Sequence, residues 1–403
     1  MNVRTVTSEQ ELSDLRKAWD ALHMAADGTV FQTFEWNNTW WSIYRRDHLQ
    51  LRITTFWEGE ELVGLLPTFL EFINAKLVTV SRMRFLGTYE TYGEYAPLIH
   101  PSYQEPVLGA MVNYCAEQLS AEEFDMLSFF RFPSTSVFME RLLGELRARN
   151  LNVTFTRNCV ARVMMPLPQT WEEYLTSLTP SERQTLGRRT RALLKNGVEL
   201  EIVDGSGGID EAFHDFVLLH TASWLDRGGK GYFGSLKQFE QFQKSITSTL
   251  APLNMARIYF LKKNGHRFAA VQAFFANRHC CFYLSGLDRH DPMVALSPGK
   301  VLLSLVIKDA IARGYTEFDF QGGQESYKFQ LGGHPEAFSK ALVWNKGAAS
   351  LKVYAFSGLQ AMRRIVREKV WNDAIVATVR RALRKFKRLG HIGATNDIIC
   401  SFP

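Results

Sequence analysis

The chain has 403 residues, of which 46% are hydrophobic, 13% aromatic and 22% charged. That length suits two domains, and that composition fills real cores, which excludes a disordered protein. No apolar run reaches the ~18 residues that span a bilayer, and the opening MNVRTVTSEQELSDLRKAW lacks the apolar centre of a secretory signal, so the sequence predicts a cytoplasmic protein.

Five cysteines, an odd number with no zinc spacing, argue against a disulfide framework and a structural metal. Cys280 and Cys281 are neighbours on a predicted strand and face opposite sides of it. The net charge of +6 is uneven: residues 351–403 hold eleven Lys/Arg against three Asp/Glu, a net +8, which leaves −2 for residues 1–350.

In chain order, helical patterns lie over Glu9 to Met24 and Trp36 to Arg45. LRITTFWEGEELVGLLPTFLEF reads as two strands joined at Glu58-Gly59. Leu86 to Ile99 is a polar-aromatic loop leading into a strand. A helix over Pro106 to Leu119 and a strand over Asp125 to Phe132 follow. The second half repeats this order: a helix over Asp210 to Trp224, three strands with turns at Asn264-Gly265 and Ala276-Asn277, a helix after Ser297, and a strand from Thr316 to Gln321.

Between the halves, LTPSERQTLGRRTRALLKNG predicts a helix with a Thr179–Glu182 capping box, Pro180 at its first position and Asn196-Gly197 at its end. Its Arg183, Arg188, Arg189, Arg191 and Lys195 form either a solvated face or a clamp for phosphate or carboxylate. The glycine-rich segment from Trp224 to Gly231 is either a surface loop or a lid.

The segment from His279 to Leu331 organises the rest. Ser297 is predicted as an N-cap, Pro298 as the first helical residue and Gly314 as the stop, with Val301, Leu302, Leu305, Val306 and Ile311 as the buried stripe. A strand–helix–strand unit makes the flanking strands, Cys281 to Leu287 and Thr316 to Gln321, parallel. The helix N-terminus then either begins an ordinary capped helix or receives a phosphate, with Gly299 admitting it. On TEFDFQ, Glu317, Asp319 and Gln321 alternate to one face, with Phe318 and Phe320 on the other. Neither a Ser-His-Asp set nor a P-loop is present, which weakens hydrolase and kinase readings.

The wording Ser297-Pro298-Gly299, Asp319-Phe320, Gly322-Gly323 and Tyr327-Lys328 resembles the CelD-like acetyltransferases of polysaccharide biosynthesis, in the GNAT superfamily, which are related to Fem-type aminoacyl transferases. One departure is Gln321-Gly322-Gly323-Gln324-Glu325, where the family pattern is more charged; it leaves the polar catalytic group open. The resemblance implies an α/β chain of two tandem GNAT-like domains, residues 1–160 and 161–350. Each is a mixed, mostly antiparallel sheet flanked by helices, and a basic C-terminal helical tail follows over 351–403. It implies transfer of an acetyl or other acyl group from coenzyme A to an amine or hydroxyl of a sugar, lipid-linked sugar or polysaccharide precursor, with no metal. The acyl-CoA site is expected in the second domain alone, because the first has His100-Pro101-Ser102 where the second has Ser297-Pro298-Gly299.

On this reading Leu284, Ser285 and Gly286 line the pantetheine arm, and Ser297, Gly299, Lys300 and Val301 meet the pyrophosphate. Arg188, Arg189, Gln321 and Lys328 contact substrate. Asp319 is the first candidate base and Tyr327 the second; Asp319 is equally a structural partner for an Arg or a backbone N–H. Two other functions stay open: a Fem-like aminoacyl-tRNA-dependent transferase, ranked second because it needs a broad basic surface and residues 1–350 are slightly acidic, so that nucleic acid is not the expected partner, and a non-catalytic module of an envelope-polysaccharide pathway. The tail pattern from Ala361 to Gly390 either packs on the protein or lies on an anionic membrane surface.

Overall fold

The structure, a computed structural model, describes residues 1–74, 78–205, 207–347, 350–356 and 358. The helix expected over 361–390, with most of the basic tail, lies outside the described residues.

The first half begins with β1 (Asn2–Val6), α1 (Glu9–Asp14), α2 (Arg16–Ala25) and α3 (Phe34–Tyr44), so the first predicted helix is broken at Leu15. Next come β2 (Leu49–Leu51), β3 (Ile53–Glu58), β4 (Glu61–Leu66), β5 (Thr68–Asn74), β6 (Thr79–Phe85) and β7 (Leu98–Ile99). The hairpin at Gly59 forms as expected, but its second strand divides at Pro67, which has no N–H to give to a ladder. β4 stays with β3, while β5 joins the other sheet. Then follow α4 (Gln104–Ser120), β8 (Met126–Pro133), α5 (Val137–Ala148) and β9 (Asn152–Pro166).

The second half contains α6 (Trp171–Ser177), α7 (Pro180–Lys195), β10 (Glu199–Val203), α8 (Ile209–Leu225), α9 (Gly231–Ser235) and α10 (Phe239–Leu250). It ends with β11 (Ala256–Lys263), β12 (His266–Ala276), β13 (His279–Leu287), α11 (Pro298–Ala312), β14 (Glu317–Gly322), α12 (Ser326–Gln330) and β15 (His334–Trp344). The Asn264-Gly265 turn has positive φ at both residues, +50° and +79°, as a tight hairpin requires.

A small sheet has the order β1-β3-β4-β7. A large one runs β10-β11-β12-β13-β14-β9-β15-β8-β6-β5-β2 through both halves. In each half one strand pair is parallel, β6 with β8 and β13 with β14, and a helix, α4 or α11, crosses between the members. The long strands trade places. β9, from the first half, pairs with β14, and β15, from the second, lies between β9 and β8. The expected boundary between residues 160 and 161 therefore falls inside β9.

The halves also share a core. Trp36 of α3 is fully buried, with its ring 5.1 Å from Phe242 of α10, 5.5 Å from Phe274 of β12 and 5.8 Å from Tyr283 of β13. On the opposite face of the second-half strands lie α6, α7 and α11, with Val301, Leu302, Val306 and Ile311 buried against Phe318 and Phe320. Each such aliphatic side chain contributes roughly 1.5–3 kcal/mol on burial. The strand β13 separates Cys280, in this layer, from Cys281, in the shared core. No described helix is long and apolar enough to cross a membrane.

Candidate active site

β13 and β14 pair over only three residues, His279–Cys281 against Glu317–Asp319, and then part. Beyond that point β13 carries a bulge. Gln272 of β12 opposes Leu284 and Ala273 opposes Phe282, so Tyr283 is the extra residue, which bends the strand. The result is a V between two strands with α11 on one side of it.

The α11 N-terminus faces the mouth of this V. Ser297 occupies the N-cap position but in a left-handed conformation, φ +52°, and its side chain makes no capping hydrogen bond, contrary to the expectation of a side-chain cap. The N–H groups of Lys300 and Val301 donate to the Ser297 carbonyl at 3.1 and 3.3 Å, whereas the Gly299 N–H has no intrahelical acceptor. Gly299 is exposed, and a Cβ built there would meet no atom within 4 Å. α11 has no acidic residue in its first turn. The cradle fits a pyrophosphate.

The basic helix α7 lies beside α11. Its capping box is half formed: the Thr179 hydroxyl accepts from the Glu182 N–H at 3.3 Å, but the Glu182 carboxylate goes instead to the Lys300 ammonium. Lys300 also donates to Gln330 at 2.8 Å. Arg188 is exposed and Arg189 half-buried, and among the described residues neither has a carboxylate within ion-pair distance.

Inside the V, the predicted pantetheine-side residues are already engaged in packing. Gly286 is buried, and a Cβ there would stand 2.5 Å from the backbone N of His220 on α8, so only glycine lets that helix lie on β13. The Ser285 carbonyl accepts a hydrogen bond from His220 Nδ1 at 2.8 Å. The other His220 nitrogen, Nε2, is buried without a partner. Burial pushes this imidazole down to about 4; the Ser285 carbonyl opposes the shift and Arg227 adds to it.

At the base of the V, Asp319 is a member of a buried network. Arg162 of β9 donates to Asp319 Oδ2 at 2.9 Å and to Glu94 at 2.7 Å, and the Arg162 and Asp319 side chains are each 5% exposed. Gln321, at φ +61°, donates its N–H to Asp319 Oδ1 and its amide NH₂ to Oδ2, both at 2.7 Å, and to Cys281 Sγ at 2.9 Å. Gln321 Oε1 is buried without a partner. Burial alone would lower the Arg162 guanidinium, but the Asp319 and Glu94 carboxylates more than reverse this and raise it. Lys328 is buried and donates to the Gly322 and Gly323 carbonyls, which holds the loop after β14 in place. The Tyr327 phenol is pushed well up by burial and then by Glu325.

The first half closes the side of the V opposite α11. A Cβ at Gly322 would touch the Tyr92 hydroxyl at 2.3 Å, and the Arg131 guanidinium lies 4.0 Å from the centre of the Tyr92 ring. Sequence reasoning missed Arg162, Glu94, Tyr92 and His220. Only the last carried a signal, as the second of two His in the helix AFHDFVLLHTASWL and the one set among apolar residues. Among the described residues no group of three or more His, Cys, Asp or Glu could hold a metal ion.

An acetyltransferase (GNAT) domain profile matches residues 180–329, which contain α7, the V and α11. No curated protein sequence matches. Among solved structures, FemX is similar over 85% of this chain and 97% of its own, at 13% identity and a TM-score of 0.61. A conserved protein of unknown function from Bacteroides thetaiotaomicron VPI-5482 covers 85% of this chain and 100% of its own, at 13% identity and a TM-score of 0.51. A tandem GNAT protein of the clavulanic acid biosynthesis pathway covers 84% of this chain and 98% of its own at 11% identity, with a TM-score of 0.44. These likenesses concern fold. The profile match, not these likenesses, makes residues 180–329 a GNAT-type acyltransferase domain, set within a mixed α/β chain.

Proposed function

We propose that the protein transfers an acetyl or other acyl group from coenzyme A to a sugar, lipid-linked sugar or polysaccharide precursor. The observation that carries this reading is the V between β13 and β14, open in front of a helix start whose Gly299 N–H is free. Acyl-CoA supplies an activated acyl carbonyl carbon in the form of a thioester. The backbone N–H of Gly299, at the positive end of the helix, holds the pyrophosphate, since those of Lys300 and Val301 already donate to the Ser297 carbonyl. Arg188 and Arg189 add charge beside it, and Leu284, Ser285 and Gly286 form one wall of the pantetheine track. Gln321, fixed by Asp319 and Cys281, offers its unpartnered Oε1 at the base of the V.

Asp319 acts here as a positioning residue, since both its oxygens are taken up by Gln321 and Arg162. Tyr327 keeps its proton and can only donate or accept a hydrogen bond. The basic tail beyond residue 358 would hold the enzyme at an anionic membrane surface, where lipid-linked sugars reside. Co-sedimentation with anionic vesicles, for the full chain against a form truncated after Ser350, tests that part.

Mass-spectrometric screening of glycan and lipid-linked precursor extracts, incubated with acetyl-CoA with and without the protein, tests the reaction. A protein-dependent acetyl adduct on a sugar supports it. An adduct only after addition of charged aminoacyl-tRNA would replace it with aminoacyl transfer.

A further inference from the structure

Acyl transfer to a hydroxyl requires a group that takes the nucleophile's proton as the new bond forms. Asp319 has no free oxygen, and Tyr327 is protonated. His220 has the missing property. The carbonyl oxygen of Ser285 can only accept, so its 2.8 Å contact fixes the proton on Nδ1 and leaves the lone pair on Nε2. That lone pair is buried and without a partner, in a residue 2% exposed.

The ring cannot drift. Phe233 stands edge-on at 5.1 Å, Tyr232 stacks at 6.2 Å, and Phe216 and Trp224 complete the wall at 6.1 and 6.2 Å. Close packing of α8 on Gly286 fixes its height along β13. It therefore sits two residues beyond the Tyr283 bulge, on the diverging part of the strand and on the side away from α11. Arg227 is the charged group that bears on it; the flanking α8 and α9 side chains are rings.

We propose that His220 Nε2 is the general base of the reaction and that the acceptor it serves is a neutral hydroxyl. This rests on the acyl-CoA reading above. The hydroxyl oxygen bonds to the acyl carbon, the carbon–sulfur bond breaks, and the hydroxyl proton passes to Nε2. It then moves to the departing thiolate sulfur, and the imidazole ends as it began. An imidazole of lowered basicity takes a proton only once bond formation has made that proton acidic, so the nucleophile must arrive neutral with its lone pair free, as a hydroxyl does and an ammonium does not. A hydroxyl already has its lone pair available and gives up the proton only as the bond forms.

The variant His220→Asn keeps an N–H for the Ser285 carbonyl and removes the Nε2 lone pair. Thiol release from acetyl-CoA is measured with water, methyl glucoside and glucosamine as acceptors, beside calorimetry with CoA. Nitrogen-15 spectra of labelled histidine give a readout independent of turnover. Expected are turnover lower by ~100-fold or more with CoA affinity nearly unchanged, and a His220 signal with bare Nε2 that does not titrate between about pH 5.5 and 8. Parent-like turnover in His220→Asn, a protonated Nε2, or no thiol release by a parent that binds CoA would each overturn the proposal alone. Faster acetylation of the glucosamine amine than of methyl glucoside would overturn the hydroxyl assignment. A parent that fails to bind CoA would overturn the acyl-transfer reading itself.

Discussion

Both halves build a parallel strand pair with a helix across it, and each pair opens beyond its last paired residues, but the two openings are used differently. In the first half β6 and β8 part after Arg84 and Ser128, and the chain's own residues 86–95 fold back into the gap. The Tyr95 N–H donates to the Arg131 carbonyl at 3.0 Å, and the Arg131 guanidinium returns a bond to the Thr91 carbonyl at 2.9 Å. In the second half no strand or loop among the described residues pairs with β13 beyond Cys281 on the β14 side. The helix starts differ in the same sense. His100 Nδ1 accepts the Ser102 N–H at 3.2 Å, and Glu105 stands in the first turn of α4. The Ser297 hydroxyl caps nothing, and Gly299 is open. A gap filled by its own chain becomes a wall, and the wall it makes, with Tyr92 against Gly322, borders the gap left open.

The comparison breaks most severely if the halves are separable units. Because β9 and β15 cross between them, expressing residues 1–160 and 161–350 as separate chains should leave neither folded by circular dichroism. A soluble, cooperatively melting 161–350 fragment would show that the exchanged strands are dispensable.

Next in size is Arg162→Leu. Arg162 ties the first-half loop, through Glu94, to Asp319 of the second half, and removing it leaves the buried Asp319 and the half-buried Glu94 without their cation. The expected loss is about 3–5 kcal/mol of stability by urea denaturation. A loss no larger than that of an exposed ion pair would mean the network does not join the halves.

A smaller effect concerns acid. His220 is held near 4, against an ordinary 6.5, so the unfolded chain takes up the proton first as pH falls. The stabilisation is complete above 6.5 and is lost progressively toward 4. From pH 7 to 5 this amounts to ~2 kcal/mol, a slope that His220→Asn should remove. Identical pH–stability curves for the two proteins would place His220 in a wetter setting.

The periodic and local features were legible in the sequence. Asn264-Gly265 announced its turn, Pro298 its helix start, and TEFDFQ its two faces, because each depends on neighbours in the chain. Features set by distant partners were not. Nothing near Pro67 says that β4 and β5 enter different sheets, and nothing near residue 160 says that β9 continues through the boundary. Glu182 spends its carboxylate on Lys300 instead of closing its own capping box. Asp319 could be read equally as base or structural partner until Arg162, 157 positions earlier in the chain, was seen against it. His220 has meaning only beside Ser285 and Gly286.

The central claim is that one half is a site and the other its wall, and calorimetric titration of the full chain with acetyl-CoA tests it most directly. The account predicts one site per chain. It is weakened ~100-fold or more by Gly299→Glu, which sets a carboxylate at the anion-binding helix end, and is unaffected by Ser102→Glu in the first half. Two sites per chain, or parent-like affinity in Gly299→Glu, would contradict it.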